Sequence, residues 1–167
     1  MEMIIARSGL STGAVYGYFQ GKDEIINAVV TDGMAAMGRQ LAPILMDPEP
    51  PPFPEFAEQL LQAIADFGRG KPGGIDRLLV SLHGWSHSQS DPALRSATLT
   101  AYRRQRELFA ETVRRWQTAG TFDPGADPDG VAELLQSILL GFVAQRALAG
   151  DADVSAHAKA LDALRRR

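Results

Sequence analysis

The sequence predicts an all-α fold, and three observations carry that prediction. Apolar residues recur at the i, i+3, i+4 spacing of one helical face through successive stretches after residue 22, and no convincing alternation with strand period is present. Six of the ten prolines fall between Pro43 and Pro54, a density that breaks regular structure and marks a boundary. Two Asp-Pro pairs, Asp91-Pro92 and Asp127-Pro128, stand where helices should open, because Asp accepts from orphan amides while Pro lacks the amide that would go unpaired. Composition narrows the class further. The chain has 167 residues, 45% apolar, with a formal net charge of −3 and no cysteine. That excludes thiol catalysis, thiolate metal sites and a disulfide framework. No apolar run approaches the ~18 residues of a membrane span, and the N-terminus is too short and charged for a secretory signal, so a cytoplasmic location is expected.

The elements follow in order. Ile5-Ala6-Arg7 closes a helix, Ser8-Gly9-Leu10 makes a tight turn, and Ser11 caps a second helix from Thr12 to about Phe19. Gly21 breaks the chain and Lys22 begins a helix that reaches about Leu45. Beyond the prolines, a helix opens at Pro54 and places Phe56, Leu60, Leu61, Ile64 and Phe67 on one face as far as Gly68 and Gly70. The next runs from Ile75 to about Gln89 with Leu78, Leu79, Leu82 and Trp85. Asp91-Pro92 opens a helix to Gly120, a left-handed stop, and Asp127-Pro128 opens one to Gly150. Val154 to Arg167 forms the last. The division expected is residues 1–46 for the N-terminal part with its connecting helix, and 47–167 for the helical body.

Two helices joined by a short glycine-containing turn make a helix-turn-helix, whose second helix enters the DNA major groove. The spacing of Gly9, Leu10, Ser11, Ala14, Val15, Tyr16, Phe19 and Lys22 closely resembles the TetR family of bacterial transcriptional repressors. Trp85 before Asp91-Pro92, then Gly120, Asp127-Pro128 and Gly141-Phe142 resemble that family's ligand-binding and dimerisation domain. The resemblance implies a homodimer whose reading heads bind palindromic operator DNA and whose body binds a small hydrophobic or aromatic effector that releases the DNA. It assigns DNA contact to Ser11, Thr12, Gly13, Ala14, Tyr16, Gly17, Tyr18 and Lys22. Val15 and Phe19 are read as core. The family places a complete first helix before the segment equivalent to Ile4 to Arg7, whereas this chain begins at Met1. The reading head is therefore expected to lack its first helix and to bind DNA poorly as written. Residues 1 to 30 add to that expectation, with Arg7 and Lys22 against Glu2, Asp23 and Glu24. The alternative is a helical small-molecule-binding module without independent DNA binding.

In the body, His83 and His87 share a helical face, but the glutamate of a metalloprotease helix and a third ligand are missing, so no metal or cofactor is expected. His83, Ser86, Gln89 and Arg106 are read as polar contacts of an apolar pocket enclosed by Phe67, Trp85, Tyr102, Phe109 and Phe142. Arg103, Arg104, Arg106, Arg114 and Arg115 read as a solvated face with nearby Glu107 and Glu111. The broad apolar stripe of the penultimate helix, with small residues permitting close approach, predicts a dimer interface at Leu134, Ser137, Ile138, Gly141 and Phe142, joined by Leu161 and Leu164 of the last helix. No nucleophile elbow, phosphate-cradling loop or supported carboxylate pair is present, so no enzymatic activity is expected.

Overall fold

The computed structural model describes residues 2–69, 76–150 and 152–165. Eight helices follow one another: α1 (Glu2–Ser8), α2 (Thr12–Tyr18), α3 (Lys22–Leu45), α4 (Phe53–Gly68), α5 (Arg77–Ser88), α6 (Pro92–Thr118), α7 (Pro128–Ala149) and α8 (Val154–Arg165). Both Asp-Pro starts act as their chemistry requires. Asp91 accepts from the Leu94 amide, and Asp127 from the amides of Asp129 and Gly130. Gly150 ends α7 at φ 76°, a left-handed conformation that a side chain would strain. The start of α5 falls at Asp76, whose carboxylate accepts from Leu78 and Leu79, while Ile75 lies outside the described residues.

Helices α6 and α7 pack along one another, α8 lies on α4, and α3 packs against α4, α5 and α6. Phe56, Ile64, Leu41, Phe109, Val113 and Phe142 are fully buried where these helices meet. The lower part of α3 is thus body as well as connector, because Leu41 and Leu45 belong to the same core.

Three expectations need correction. Pro43 lies inside α3 rather than in the connection. A proline removes the bond from its own nitrogen to the carbonyl four residues earlier, here that of Arg39, and α3 ends two residues later. Arg115 is not a free surface cation: its guanidinium donates to the carbonyls of Leu45 and Asp47 at 3.2 and 3.1 Å, closing the end of α3. Next to it, the Trp116 indole donates to Pro51 O at 2.9 Å, with Phe53 and Phe56 edge-on to its ring and Phe122 stacked on it. The proline segment is therefore fastened to α6 at both ends. The third correction concerns α7, which by length and composition is the one described helix that could cross a membrane. Its Ala132, Leu135, Leu139, Phe142 and Val143 are buried within the chain, which accounts for part of that apolar content.

Candidate functional site

At the N-terminal end, Gly9 turns the chain between α1 and α2 at φ 69°. Ser8 Oγ accepts from the Leu10 amide at 3.2 Å, and Ser11 Oγ accepts from Ala14 at 3.1 Å, starting α2. Val15 is buried, as an inward residue should be, and Phe19 half-buried. The opposite face carries Thr12, Gly13, Gly17 and Lys22, all exposed, with Ala14 half-buried. Tyr16 is 50% and Tyr18 82% exposed, so neither ring is spent on packing. A short helix that turns two phenols, small residues and a hydroxyl outward, with a lysine one turn later, presents side chains of the kind that can hydrogen-bond to base edges and phosphates.

The body encloses a cavity of about 490 Å³. Val30, Met34, Met37 and Leu41 of α3 form one wall, Phe67 of α4 and Trp85 of α5 flank it, and Leu139, Leu140 and Val143 of α7 close it. Helix α6 contributes Thr98, Tyr102 and Gln105. Burial pushes the Tyr102 hydroxyl up to about 12, against the Trp85 indole N–H, which donates to its oxygen and pulls the other way. The Arg77 guanidinium lies 5.3 Å from the centroid of the Phe67 ring, at the solvent side.

Of the residues expected to line a pocket, the structure brings Phe67, Trp85 and Tyr102 together on this cavity. His83, Ser86 and Gln89 lie off its wall: His83, Ser86 and Gln89 are exposed, one helical turn or a face removed from Trp85. Phe109 and Phe142 are at 0% and 1% exposure in the core, the latter edge-on to His157 at 5.2 Å. Packing on α8 leaves Phe142 no surface for a cavity or for an external face. Arg106 instead donates to Gln136 Oε1 at 3.1 Å. Sequence reasoning missed the α3 wall, whose methionines and valines read as ordinary core, and it missed Thr98 and Gln105. Their signal was the i, i+4, i+7 spacing of Thr98, Tyr102 and Gln105 along one face of α6.

Two further groups of residues surround this centre. Asn27 of α3 donates to Asp91 Oδ2 at 2.7 Å, bridging the upper part of α3 to the start of α6. Along α7, Leu134 and Ser137 are exposed and Ile138 and Gly141 half-buried; Leu161 of α8 is half-buried, and the Leu164 side chain lies outside the described residues. Among the described residues no group of three or more His, Cys, Asp or Glu is placed to hold a metal ion.

Comparison with known proteins was made on both parts of the chain. No curated protein matches it. Residues 1–29 match the family described as bacterial regulatory proteins, tetR family. Residues 54–166, the whole of the helical body from α4 onward, match the C-terminal domain of BetI-type transcriptional repressors. With an N-terminal match over the exposed-tyrosine helix and a second match over more than half its length, the chain belongs to the TetR family of transcriptional regulators.

Proposed function

We propose that this chain is a homodimeric, ligand-responsive repressor whose α2 reads operator DNA and whose body binds a small hydrophobic or aromatic effector that releases it. Proteins of the TetR family are in general ligand-responsive DNA-binding repressors and not enzymes. The observation that supports the finer reading is the apolar cavity of about 490 Å³, a size that suits a small organic molecule. Its wall includes α3, the same helix that follows α2 after a link of residues 19–21. Contact with DNA is assigned to Ser11, Thr12, Gly13, Ala14, Tyr16, Gly17, Tyr18 and Lys22, with residues 1–46 as reading head and connector and 47–167 as effector and dimer domain, acting in the cytoplasm.

The test begins with selection of bound duplexes from a random DNA pool. A mobility-shift titration on the selected sequence then compares wild type with Tyr16→Ala and Lys22→Ala, each expected to weaken binding by about tenfold through a lost phosphate or base contact. Effector action is expected as a further weakening of roughly 5-fold to 150-fold by an apolar compound that also raises the melting temperature. Failure to select any sequence, both with this chain and with a version extended by a first helix, would instead favour the helical ligand-binding module without DNA binding of its own.

A further inference from the structure

One wall of the cavity differs in kind from the rest. Helix α6 aims Thr98, Tyr102 and Gln105 at it from successive turns, whereas α3 and α7 present mainly valine, leucine and methionine, with Asp32 of α3 exposed at the edge. What these polar groups offer a ligand follows from how each is already bonded. The Thr98 hydroxyl donates to Leu94 O at 2.8 Å, and the Ser81 hydroxyl, also on the lining, donates to Arg77 O at 3.0 Å. Both have used their proton within their own helix.

Gln105 is fixed by a chain of bonds with no freedom of direction. A guanidinium can donate but not accept, so Arg106 Nε at 3.1 Å marks the oxygen of the Gln136 carboxamide. The Gln136 amide nitrogen therefore faces the other way and donates to the Tyr102 main-chain carbonyl at 3.0 Å and to Gln105 Oε1 at 3.2 Å. Gln105 thereby has one lone pair of its carbonyl oxygen engaged, and its NH₂ group has no acceptor among the described residues. Gln136 itself is 4% exposed, so this arrangement is built into the α6–α7 contact. Tyr102 also lines the cavity beside Trp85, and its hydroxyl proton has no acceptor among the described residues. Two neighbouring, half-buried groups thus bring donors without a protein acceptor to an otherwise apolar cavity.

We propose that the cavity takes an uncharged, largely apolar molecule bearing a carbonyl-class acceptor, with Tyr102 and Gln105 donating to that acceptor. This rests on the reading of the cavity as the effector site. A neutral molecule fits better than an anion because both donors are themselves neutral. The charged residues of the lining, Asp32, Arg77 and Arg104, are exposed and of mixed sign, and Arg104 pairs with Glu107 at 3.3 Å. A carboxylate at Tyr102 would lose its hydration without gaining a buried cation.

The experiment is calorimetric titration of the full chain with benzophenone, diphenylmethane and diphenylacetate, which share two phenyl rings and differ at the central carbon. The ketone is expected to bind about tenfold more tightly than the hydrocarbon, the effect of one or two neutral hydrogen bonds, and the carboxylate more weakly than the ketone. Tyr102→Phe should bring the ketone-to-hydrocarbon ratio close to 1, and Gln105→Leu should lower it part of the way. Should either variant melt early, the other still reads the ratio. Equal binding of ketone and hydrocarbon by the wild type, or a ratio that survives both substitutions, would overturn the proposal while leaving the cavity as an effector site. Tighter binding of diphenylacetate would overturn the uncharged class. If neither uncharged compound binds, the effector-site reading falls, and the proposal with it.

Discussion

Asp91 carries two jobs at one carboxylate. It opens α6 by accepting from Leu94, and it accepts from the Asn27 amide across the contact with α3. The Asn27 amide, then the Leu94 N–H, holds its carboxyl below the ordinary value of 3.8. A folded-state value below the unfolded one means stability that is present above the unfolded value and lost as pH falls through the lowered folded value. Asp91→Ala is accordingly expected to lower the melting temperature at neutral pH, and the gap from wild type should narrow in melting curves taken at successively lower pH below the ordinary value of 3.8. The capping role of Asp91 was legible in the sequence, because an Asp before a Pro is a purely local signal. Its partner was not. Asn27 lies 64 residues away, and helical spacing fixes which face a residue occupies but not what meets that face. The same limit explains Arg106, read as polar lining and found on Gln136, thirty residues on.

Helix contacts are where side-chain volume decides. Helices α3 and α5 approach closely at Gly84, where a Cβ would come within 2.8 Å of Val30 Cγ1 and 3.0 Å of Cγ2. Valine is stiff about χ1, so it cannot swing aside cheaply. Gly84→Ala is expected to destabilise the chain by about 1–3 kcal/mol through overpacking, despite the better helix propensity of alanine. Combining it with Val30→Ala should recover part of the loss, so that urea melts show the double variant more stable than the two single effects added together. At this scale the helices themselves were legible in order, since periodicity, caps and glycine stops are all local. The α3 wall of the cavity was not, because Val30, Met34 and Met37 look like any core stripe until another helix fails to fill the space beside them. Trp116 falls on an apolar face by its helical spacing, yet its indole N–H holds Pro51, a role that only the folded path of the proline segment creates.

On the molecule as a whole, α7 has two faces. One is spent on the core, while Leu134 at 60% and Leu148 at 76% exposure stand on the other, in register with Ile138, Gly141 and Gln145 at alternating steps of four and three. We propose this stripe as the seam where α7 pairs with a second copy of the chain. Light scattering is expected to give a dimer for the wild type and a monomer for Leu134→Glu combined with Leu148→Glu, with the far-ultraviolet helical signal retained because neither residue is buried. A variant that stays dimeric would move the interface elsewhere. Phe142 illustrates what the sequence could not sort: it lies next to Gly141 on the same helix, but α8 covers it, and which side of an apolar helix is covered by its own chain depends on tertiary topology.

The fastening of α3 by Arg115 also fixes its mechanics. With the last turn tied to α6 through the carbonyls of Leu45 and Asp47, α3 is a rod of 24 residues, about 36 Å long, pinned at its lower end. Val30, where α5 presses on it, stands about 22 Å from that pin, and Lys22 about 34 Å. Leverage follows from the ratio: for a rigid rod on that pin, a sideways displacement of 1 Å at Val30 corresponds to about 1.5 Å at Lys22, half the length of a hydrogen bond, and it works against the Asn27–Asp91 bond that holds the upper part of α3 to α6.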